Sequence, residues 1–174
     1  MARAPATCPD RDDDETRTRT TTREEDPMAT TRRATATWAG DLPTGRGTVT
    51  AATTGIFRDQ PTTWASRTEE PEGVTSPEEL LAAAHASCFS MACSNILAKA
   101  GTPVERLDVE VNVTADKRDA GWTVVSAAIT VRGRVPGATQ ESFAEAASQA
   151  KDGCPISRAL QGNVEISVDA TLEG

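Results

Sequence analysis

Two cysteines of this sequence stand where thiol chemistry is possible. Cys88 lies inside a long apolar stretch, and Cys154 stands between a glycine and a proline. Since proline favours the first position of a helix, Cys154 is predicted to be the N-cap of a short helix ending near Leu160, where the helix dipole favours thiolate over thiol. Cys88 alone would be interpreted as core packing. Cys154, expected at an exposed corner, makes a reactive pair the better interpretation.

The other cysteines and the single histidine receive structural interpretations. Cys93 lies five residues beyond Cys88, about 140° around a helix, and is predicted to pack in the core. His85 lies three residues before Cys88. A lone buried histidine is more often a hydrogen-bonded core residue than a base, although a catalytic role stays open. Without a Cys-x-x-Cys motif, with one histidine and with no ligand cluster at metal spacing, we expect no metal ion. Chemistry carried by the two thiols would also need no organic cofactor.

Composition limits the partners of the protein. The chain has 26 acidic and 18 basic residues and a formal net charge of -8, which repels nucleic acid and anionic membrane surfaces. Aromatic residues make up 3% of the chain and tyrosine is absent, so no platform for stacking bases is expected. The N-terminal region has no apolar signal segment, so we expect a cytoplasmic protein.

Residues 1–27 are predicted to be a disordered tail, because they combine eight acidic and five basic residues with Thr and Pro and cannot bury enough apolar surface to order themselves. Alternation of small and polar residues begins just after Met28. We therefore predict one domain over residues 28–174, with Met28 a candidate for the natural translation start. Cys8 would then be incidental.

A long helix is predicted from Ser76 to about Ala100. Ser76 is the expected N-cap, a proline follows it, Glu79 would complete a capping box, and Gly101 would end the helix. The 19 residues 80–98 include no Asp, Glu, Lys or Arg, which predicts a helix buried on nearly every side. A membrane span is the competing interpretation, but the polar His, Ser and Asn side chains within the stretch disfavour it.

Alternating sequence patterns predict strands around this helix. The first two form a hairpin that turns before Gly45–Gly47, and Val109, Val111 and Val113 share one face of a half-buried strand. Asp119–Gly121 is the predicted turn that follows it. The predicted strands are residues 34–38, 48–50, 62–68, 107–113, 122–135 and 164–168, and a second helix spans about Gln140 to Lys151.

Two longer stretches resemble signatures of the OsmC-type and organic hydroperoxide resistance proteins, the OsmC/Ohr family. They are Thr75–Met91 and Lys151–Leu160, one around each of the two cysteines. A weaker likeness to the opening strand and turn of the family lies at Ala36–Asp41 and Gly45–Gly47. The resemblance covers the chain from about residue 31 to its end.

The resemblance implies an α+β fold in which antiparallel strands wrap two central helices, and an intertwined homodimer with two active sites at the interface. It also implies that Cys88 is the peroxidatic cysteine and Cys154 the resolving one, and that Arg67 and Glu78 assist them. Arg58 is the alternative arginine, because a threonine follows Arg67 where the family often has an aromatic residue.

The residues themselves fit these roles. A buried thiol resists ionising unless a cation stands beside it, and Arg67 would supply that cation and polarise the peroxide. Glu78 is free to orient Arg67 as a bidentate partner, although alone it would be interpreted as a favourable charge in the first helical turn. Glu78 and Cys88 lie about 15 Å apart along a straight helix. Glu78 is therefore predicted to serve Cys88 of a partner chain, and a long arginine that bridges the gap is the alternative.

The predicted function is reduction of organic hydroperoxides to alcohols, in stress defence, through a Cys88 sulfenic acid and a Cys88–Cys154 disulfide. A pocket lined by Ala, Leu, Phe89 and Met91 would favour organic peroxides by burying their hydrocarbon. An external dithiol would reduce the disulfide, and the resemblance points to a lipoyl-type dithiol. The alternatives are a dithiol-disulfide redox protein or sensor, and a non-catalytic stress protein that holds an apolar ligand.

Overall fold

Six strands and four helices make up residues 29–173, the part of the chain that the computed structural model describes. The elements in chain order are β1 (Thr35–Ala39), β2 (Arg46–Thr50), β3 (Gln60–Thr63), α1 (Ala65–Thr68), α2 (Pro77–Lys99), β4 (Arg106–Arg118), β5 (Gly121–Arg134), α3 (Gln140–Gly153), α4 (Pro155–Leu160) and β6 (Glu165–Glu173). The predicted tail at residues 1–27, Cys8 and Met28 lie outside the described residues. The predicted mixture of helices and sheet is confirmed.

The first sheet has the strand order β1-β2-β3. The predicted hairpin of β1 and β2 is confirmed, with Trp38 paired opposite Gly47. The predicted third strand is wrong beyond Thr63, because the chain turns into α1. The Ser66 N–H donates to the Thr63 hydroxyl over 3.0 Å, and the Ser66 hydroxyl donates to the Thr63 carbonyl over 2.9 Å. Such local side-chain bonds compete with the hydrogen bonds of a strand.

The ends of α2 form at the predicted residues. The Ser76 hydroxyl caps the helix by accepting from the Glu79 N–H over 3.2 Å. The capping box predicted with Glu79 is wrong, because the Glu79 carboxylate accepts from the Thr75 hydroxyl over 2.6 Å instead. Gly101 has φ +84°, a left-handed conformation that glycine adopts without strain. Its N–H donates to the Ala98 carbonyl over 3.1 Å, which closes the helix as predicted.

Helix α2 is apolar around its circumference but only partly buried. Its length and hydropathy would fit a membrane span, a property that the core helices of soluble proteins share. Only 22% of its apolar window is buried inside the chain, so the prediction of burial on nearly every side is wrong for a single chain. The exposed stripe is called here the open face of α2 and consists of Ala83, Ala84, Ser87, Met91, Asn95 and Ala98.

The second sheet has the strand order β4-β5-β6. β4 and β5 form the predicted antiparallel hairpin, which turns after Arg118 and has a bulge between Thr114 and Ala115. β6 pairs with β5 in the parallel direction, so the expectation of antiparallel strands is wrong for β6. A parallel partner requires a long crossover connection, and α3 and α4 form that connection.

The core lies between the second sheet and the helices α2 and α3. Phe143 of α3 is fully buried, and burial of such a side chain contributes about 1.5–3 kcal/mol. Gly133 of β5 makes this packing possible, since a Cβ there would lie 2.5 Å from the Phe143 ring. Cys93 is fully buried in the same cluster, which confirms its predicted place in the core.

Candidate active site

Cys154 joins two helices, since it ends α3 and is the N-cap of α4. Its N–H donates to the Ala150 carbonyl over 2.8 Å, and its carbonyl accepts from the Arg158 N–H over 2.9 Å. The predicted N-cap is confirmed, but the predicted exposure is wrong, because the residue is 0% exposed. Helix α4 packs against α2, and this packing covers the cysteine.

Cys88 of α2 lies against Cys154. Both thiols are free, and Cys88 is only partly buried. The two thiols lie close enough to shift each other's pKa, with Cys88 acting as the donor and Cys154 as the acceptor. Two cysteines that belong to separate sequence motifs therefore meet where α2 and α4 pack together.

The surroundings of Cys154 favour its thiolate. Burial alone would raise the pKa of Cys154, but the groups around the sulfur outweigh burial and lower it. These groups are the backbone N–H of Ser157, the Cys88 thiol, the Ser157 hydroxyl and the backbone N–H of Ile156. These groups lie near the sulfur, although the Cys154 side chain makes no hydrogen bond that caps α4. This agrees with the thiolate-favouring N-cap predicted from the sequence.

The pKa of Cys88 is shifted in the opposite direction to that of Cys154. Burial raises the pKa of Cys88, the hydrogen bond to Cys154 and the negative charge there raise it further, and the backbone N–H of Ile156 opposes them. In a single chain the surroundings therefore favour the thiolate at Cys154 over the thiolate at Cys88. The groups that shift the pKa of Cys88 include no cation. An attacking thiolate at Cys88 thus requires a cation from another source.

Arg67 and Glu78 form an ion pair within one chain. The Arg67 Nε–H donates to Glu78 Oε1 over 2.8 Å, and Arg67 Nη2 lies 2.7 Å from the same oxygen. The predicted pairing is present, but the predicted bidentate geometry is wrong, because Glu78 Oε2 is buried without a hydrogen-bond partner among the described residues. Arg58, the alternative arginine, is exposed and lies over Gly55.

An aromatic side chain holds Arg67 from a second side. The Arg67 Cζ atom lies 5.8 Å from the centroid of the Trp64 ring, within the range of a cation–π interaction. Trp64 in turn packs edge to face against Trp122, with ring centroids 5.9 Å apart. Sequence reasoning missed this contact, although Trp64 precedes Arg67 by three residues, a spacing that places both on one side of α1.

The structure joins the predicted site residues as two pairs rather than one cluster. Arg67 and Glu78 line a cavity of about 460 Å³ beside β4, and neither Cys88 nor Cys154 lines it. The separation follows from the helix, because Glu78 lies in the first turn of α2 and Cys88 near its middle. Within one chain the cation is therefore held away from the thiol pair.

His85 and Ser157 adjoin the thiol pair. His85 is 0% exposed, and its Nε2 atom lies 2.8 Å from the Ser157 hydroxyl oxygen. Burial lowers the pKa of His85, so the ring is neutral, as in the hydrogen-bonded core histidine predicted from the sequence. Ser157 was not predicted as a site residue. The sequence feature that could have identified it is its position three residues after the N-cap Cys154, where the backbone N–H and the side chain face the cap.

The apolar pocket predicted with Phe89 and Met91 is wrong for a single chain. Phe89 is fully buried in the core, whereas Met91 is 66% exposed. Met91 lines an open groove along α2, with a second wall from Val104 to Leu107. The two residues point apart because they are separated by about 200° around a helix.

No group of three or more His, Cys, Asp or Glu residues within residues 29–173 is placed to hold a metal ion. The predicted site residues are two thiols, an arginine and a carboxylate.

Comparison with known proteins identifies relatives along most of the chain. The family model described as OsmC-like protein matches residues 70–169. Peroxiredoxin OsmC of Escherichia coli (strain K12) is 40% identical over 136 residues, which cover 78% of this chain and 92% of that protein. Organic hydroperoxide resistance protein OhrB of Bacillus subtilis (strain 168) is 26% identical over 102 residues, which cover 58% of this chain and 73% of that protein.

Solved structures share the fold. The crystal structure of OhrB of Bacillus subtilis covers 80% of this chain and 98% of its own, with a TM-score of 0.58 at 23% identity. The crystal structure of an OsmC-like protein from Mycoplasma pneumoniae covers 84% of this chain and 100% of its own, with a TM-score of 0.65 at 16% identity. These likenesses confirm the fold. The family-model match over residues 70–169 and the 40% identity to peroxiredoxin OsmC show that the chain belongs to the OsmC-like family.

Proposed function

We propose that this protein is a thiol-dependent peroxidase that reduces organic hydroperoxides to alcohols, with Cys88 as the attacking and Cys154 as the resolving cysteine. The contact between the partly buried Cys88 and the buried Cys154 carries the proposal. An attacking thiol needs access to substrate, while a resolving thiol needs contact with the first sulfur. Relatives named peroxiredoxin OsmC and organic hydroperoxide resistance protein OhrB support the same chemistry.

The reaction proceeds in two steps. The Cys88 thiolate attacks a peroxide oxygen, the O–O bond breaks, and the departing alkoxide takes a proton to leave as the alcohol. Cys88 is then a sulfenic acid. The Cys154 thiolate attacks the Cys88 sulfur, forms the S–S bond and expels hydroxide, which takes a proton to leave as water. The peroxide gains two electrons, which the two thiols lose.

The cation that the first step requires comes, in this proposal, from the partner chain of a homodimer. Arg67 and Glu78 do not line up with the thiol pair of their own chain, and none of residues 29–173 covers the open face of α2. The five residues of β1 are all exposed, and a three-stranded sheet needs a packed face to be stable. Trp38 and Ile56 are 45% and 83% exposed. Apolar surfaces of this kind indicate an interface, here with a second copy of the chain.

Mixed dimers test the shared site. A Glu78→Ala chain is combined with a Cys88→Ser chain, so that one of the two possible shared sites has both Cys88 and Glu78. We expect the mixed dimer to recover about half of the wild-type activity per dimer, while each parent homodimer stays inactive. An inactive mixed dimer would place Cys88 and Glu78 of one site in the same chain.

Thiol counting tests the peroxidase activity. The reduced protein is mixed with cumene hydroperoxide, and free thiols are counted before and after the reaction. We expect the loss of about two thiols per chain in the wild type, none in Cys88→Ser, and a trapped sulfenic acid in Cys154→Ser. Cys93→Ala is the matched control, because Cys93 is fully buried in the core, and it should behave as the wild type. Equal thiol loss in Cys88→Ser would contradict the proposal.

Regeneration requires a reductant for the Cys88–Cys154 disulfide. We propose a lipoyl-type dithiol in the cytoplasm, because a dithiol completes thiol-disulfide exchange by closing its own ring. Steady-state turnover with dihydrolipoamide should exceed turnover with an equal concentration of a monothiol by about tenfold or more. Equal turnover rates with both reductants would contradict the proposed preference for a dithiol.

A further inference from the structure

His85 and Ser157 form a buried polar pair that the two steps above do not use. They are 0% and 3% exposed, and the Nε2 and Oγ atoms lie 2.8 Å apart. The bond joins α2, which carries Cys88, to α4, which begins after Cys154. Burying two polar groups is unfavourable unless they are satisfied, and aliphatic side chains would fill the same space without that cost. The pair therefore calls for a role beyond packing.

We propose that His85 and Ser157 are positioning residues for the resolving cysteine, in which the His85 Nε2–H donates to the Ser157 oxygen and the Ser157 hydroxyl donates to the Cys154 sulfur. This inference rests on the proposed function and concerns its second step. A directed chain of donors would hold the Cys154 thiolate in place until the Cys88 sulfenic acid has formed.

The direction of the chain follows from the other nitrogen of the ring. His85 Nδ1 is buried and has no hydrogen-bond partner among the described residues. A neutral imidazole carries one proton, on either Nδ1 or Nε2. With the proton on Nδ1, a buried N–H would lack an acceptor, and such groups are rarer in proteins than under-used acceptors. The proton is therefore assigned to Nε2, which makes His85 the donor to Ser157.

This assignment leaves the Ser157 proton for Cys154. The Ser157 oxygen accepts from His85, so its single O–H is free to donate elsewhere. The hydroxyl and the backbone N–H of Ser157 are both among the groups that favour the Cys154 thiolate. Ser157 is the third residue of α4 after the N-cap Cys154, a position whose side chain turns back towards the cap. The proposed chain of donors therefore ends on the sulfur that attacks in the second step.

Other titratable and charged groups surround Cys154 and Ser157 at the start of α4. Cys88 and His85 face these residues from α2. On the other side, Lys151, Asp152 and Arg158 line a cavity of about 250 Å³ with Ser157, and Lys151 pairs with Asp152 over 3.4 Å. The groups that shift the pKa of Cys154 include none of these three charges, so the Ser157 donors and Cys88 are the groups to test.

The first test measures the ionisation of Cys154 without peroxide. The full chain carries Cys88→Ser, and the thiolate absorbance of Cys154 is titrated, with Cys154→Ser identifying its contribution. Ser157→Ala and His85→Leu, which remove a donor, should raise the midpoint by about one pH unit. Ser157→Thr and His85→Gln keep a donor and should stay closer to the parent. Midpoints that do not move, or that move equally in all four variants, would overturn the proposal.

The second test separates the two steps in a single turnover with Cys88 present. In Ser157→Ala and His85→Leu, sulfenic acid formation should stay within about twofold of the wild type, while disulfide formation at pH 7 should slow by about tenfold. The pH profile of the slow step should move to higher pH, which a purely structural role would not cause. Equal slowing of both steps would overturn the proposal. A wild type that forms no sulfenic acid would instead defeat the peroxidase function, while the titration would still decide the role of the pair.

Discussion

Arg67 contacts one oxygen of Glu78 with two nitrogens, since Nε donates to Oε1 over 2.8 Å and Nη2 lies 2.7 Å from the same oxygen. The other oxygen, Oε2, is buried and has no hydrogen-bond partner among the described residues. A desolvated carboxylate oxygen without a partner is destabilising. Oε2 therefore has the capacity to accept from a further donor, and the O–H of a hydroperoxide is a donor of the right kind. The ion pair holds a cation and an acceptor side by side, as the proposed first step requires.

Glu78→Gln should lower kcat/KM for cumene hydroperoxide by about tenfold or more, because the amide neither fixes Arg67 by charge nor accepts as strongly at Oε2. Steady-state turnover gives the value, and circular dichroism checks the fold. Glu79→Gln is the matched control, since the Glu79 carboxylate contacts the Thr75 hydroxyl, and it should stay within about twofold of the wild type. Equal losses in both variants would show a general effect on the start of α2.

Trp64→Leu should lower kcat/KM less than Glu78→Gln. The variant removes the ring that lies 5.8 Å from the Arg67 Cζ atom, and such a contact contributes about 0.5–1 kcal/mol, or about twofold to fivefold in rate. Trp64→Phe keeps an aromatic face and should stay nearer the wild type. If Trp64→Phe loses as much as Trp64→Leu, the cation–π contact does not position Arg67.

Local signals in the sequence predict the ends of the long helix and the place of Cys154. A serine before a proline and a glycine after the last turn act through hydrogen bonds to near neighbours, so Ser76 and Gly101 were predictable. The bond between His85 and Ser157 joins residues 72 positions apart, and nothing local encodes it. The burial of Cys154 likewise depends on α4 packing against α2. Exposure of the open face of α2 was missed because an apolar stretch does not reveal which chain will cover it.

Replacing Cys154 should make Cys88 ionise more readily. The hydrogen bond and the negative charge at Cys154 both raise the pKa of Cys88, after burial, and Cys154→Ala removes both while burial remains. The midpoint for alkylation of Cys88 by iodoacetamide should therefore move to lower pH than in the wild type. Mass spectrometry of the Cys88 peptide gives the rate at each pH. Cys93→Ala is the control and should leave the midpoint in place, whereas a shift to higher pH in Cys154→Ala would contradict the pairing.

Met91→Asp should dissociate the proposed homodimer. Met91 lies on the open face of α2 and is 66% exposed in a single chain, so a carboxylate there would be desolvated only if a partner covers it. We expect light scattering to report about half the wild-type mass, with activity falling in parallel because the sites are shared. Ser167→Asp, at an exposed position of β6, is the control and should remain dimeric. A dimer that survives Met91→Asp would place the interface elsewhere.

Cys93 should make the fold sensitive to alkaline pH. Burial raises the pKa of Cys93 from its usual 9.0 to about 11, so the folded chain keeps a proton that the unfolded chain releases between these values. The contribution of this thiol to stability is complete below pH 9 and is lost as the pH rises towards 11, at about 1.4 kcal/mol per pH unit. By pH 10.5 the loss is about 2 kcal/mol. The free energy of urea unfolding should therefore fall between pH 7.5 and 10.5 by about 2 kcal/mol less in Cys93→Ala than in the wild type. The small cavity left by alanine lowers the free energy of unfolding equally at both pH values, so it does not affect the comparison. If this free energy falls by the same amount in the two proteins, the core does not hold the Cys93 thiol in its protonated form.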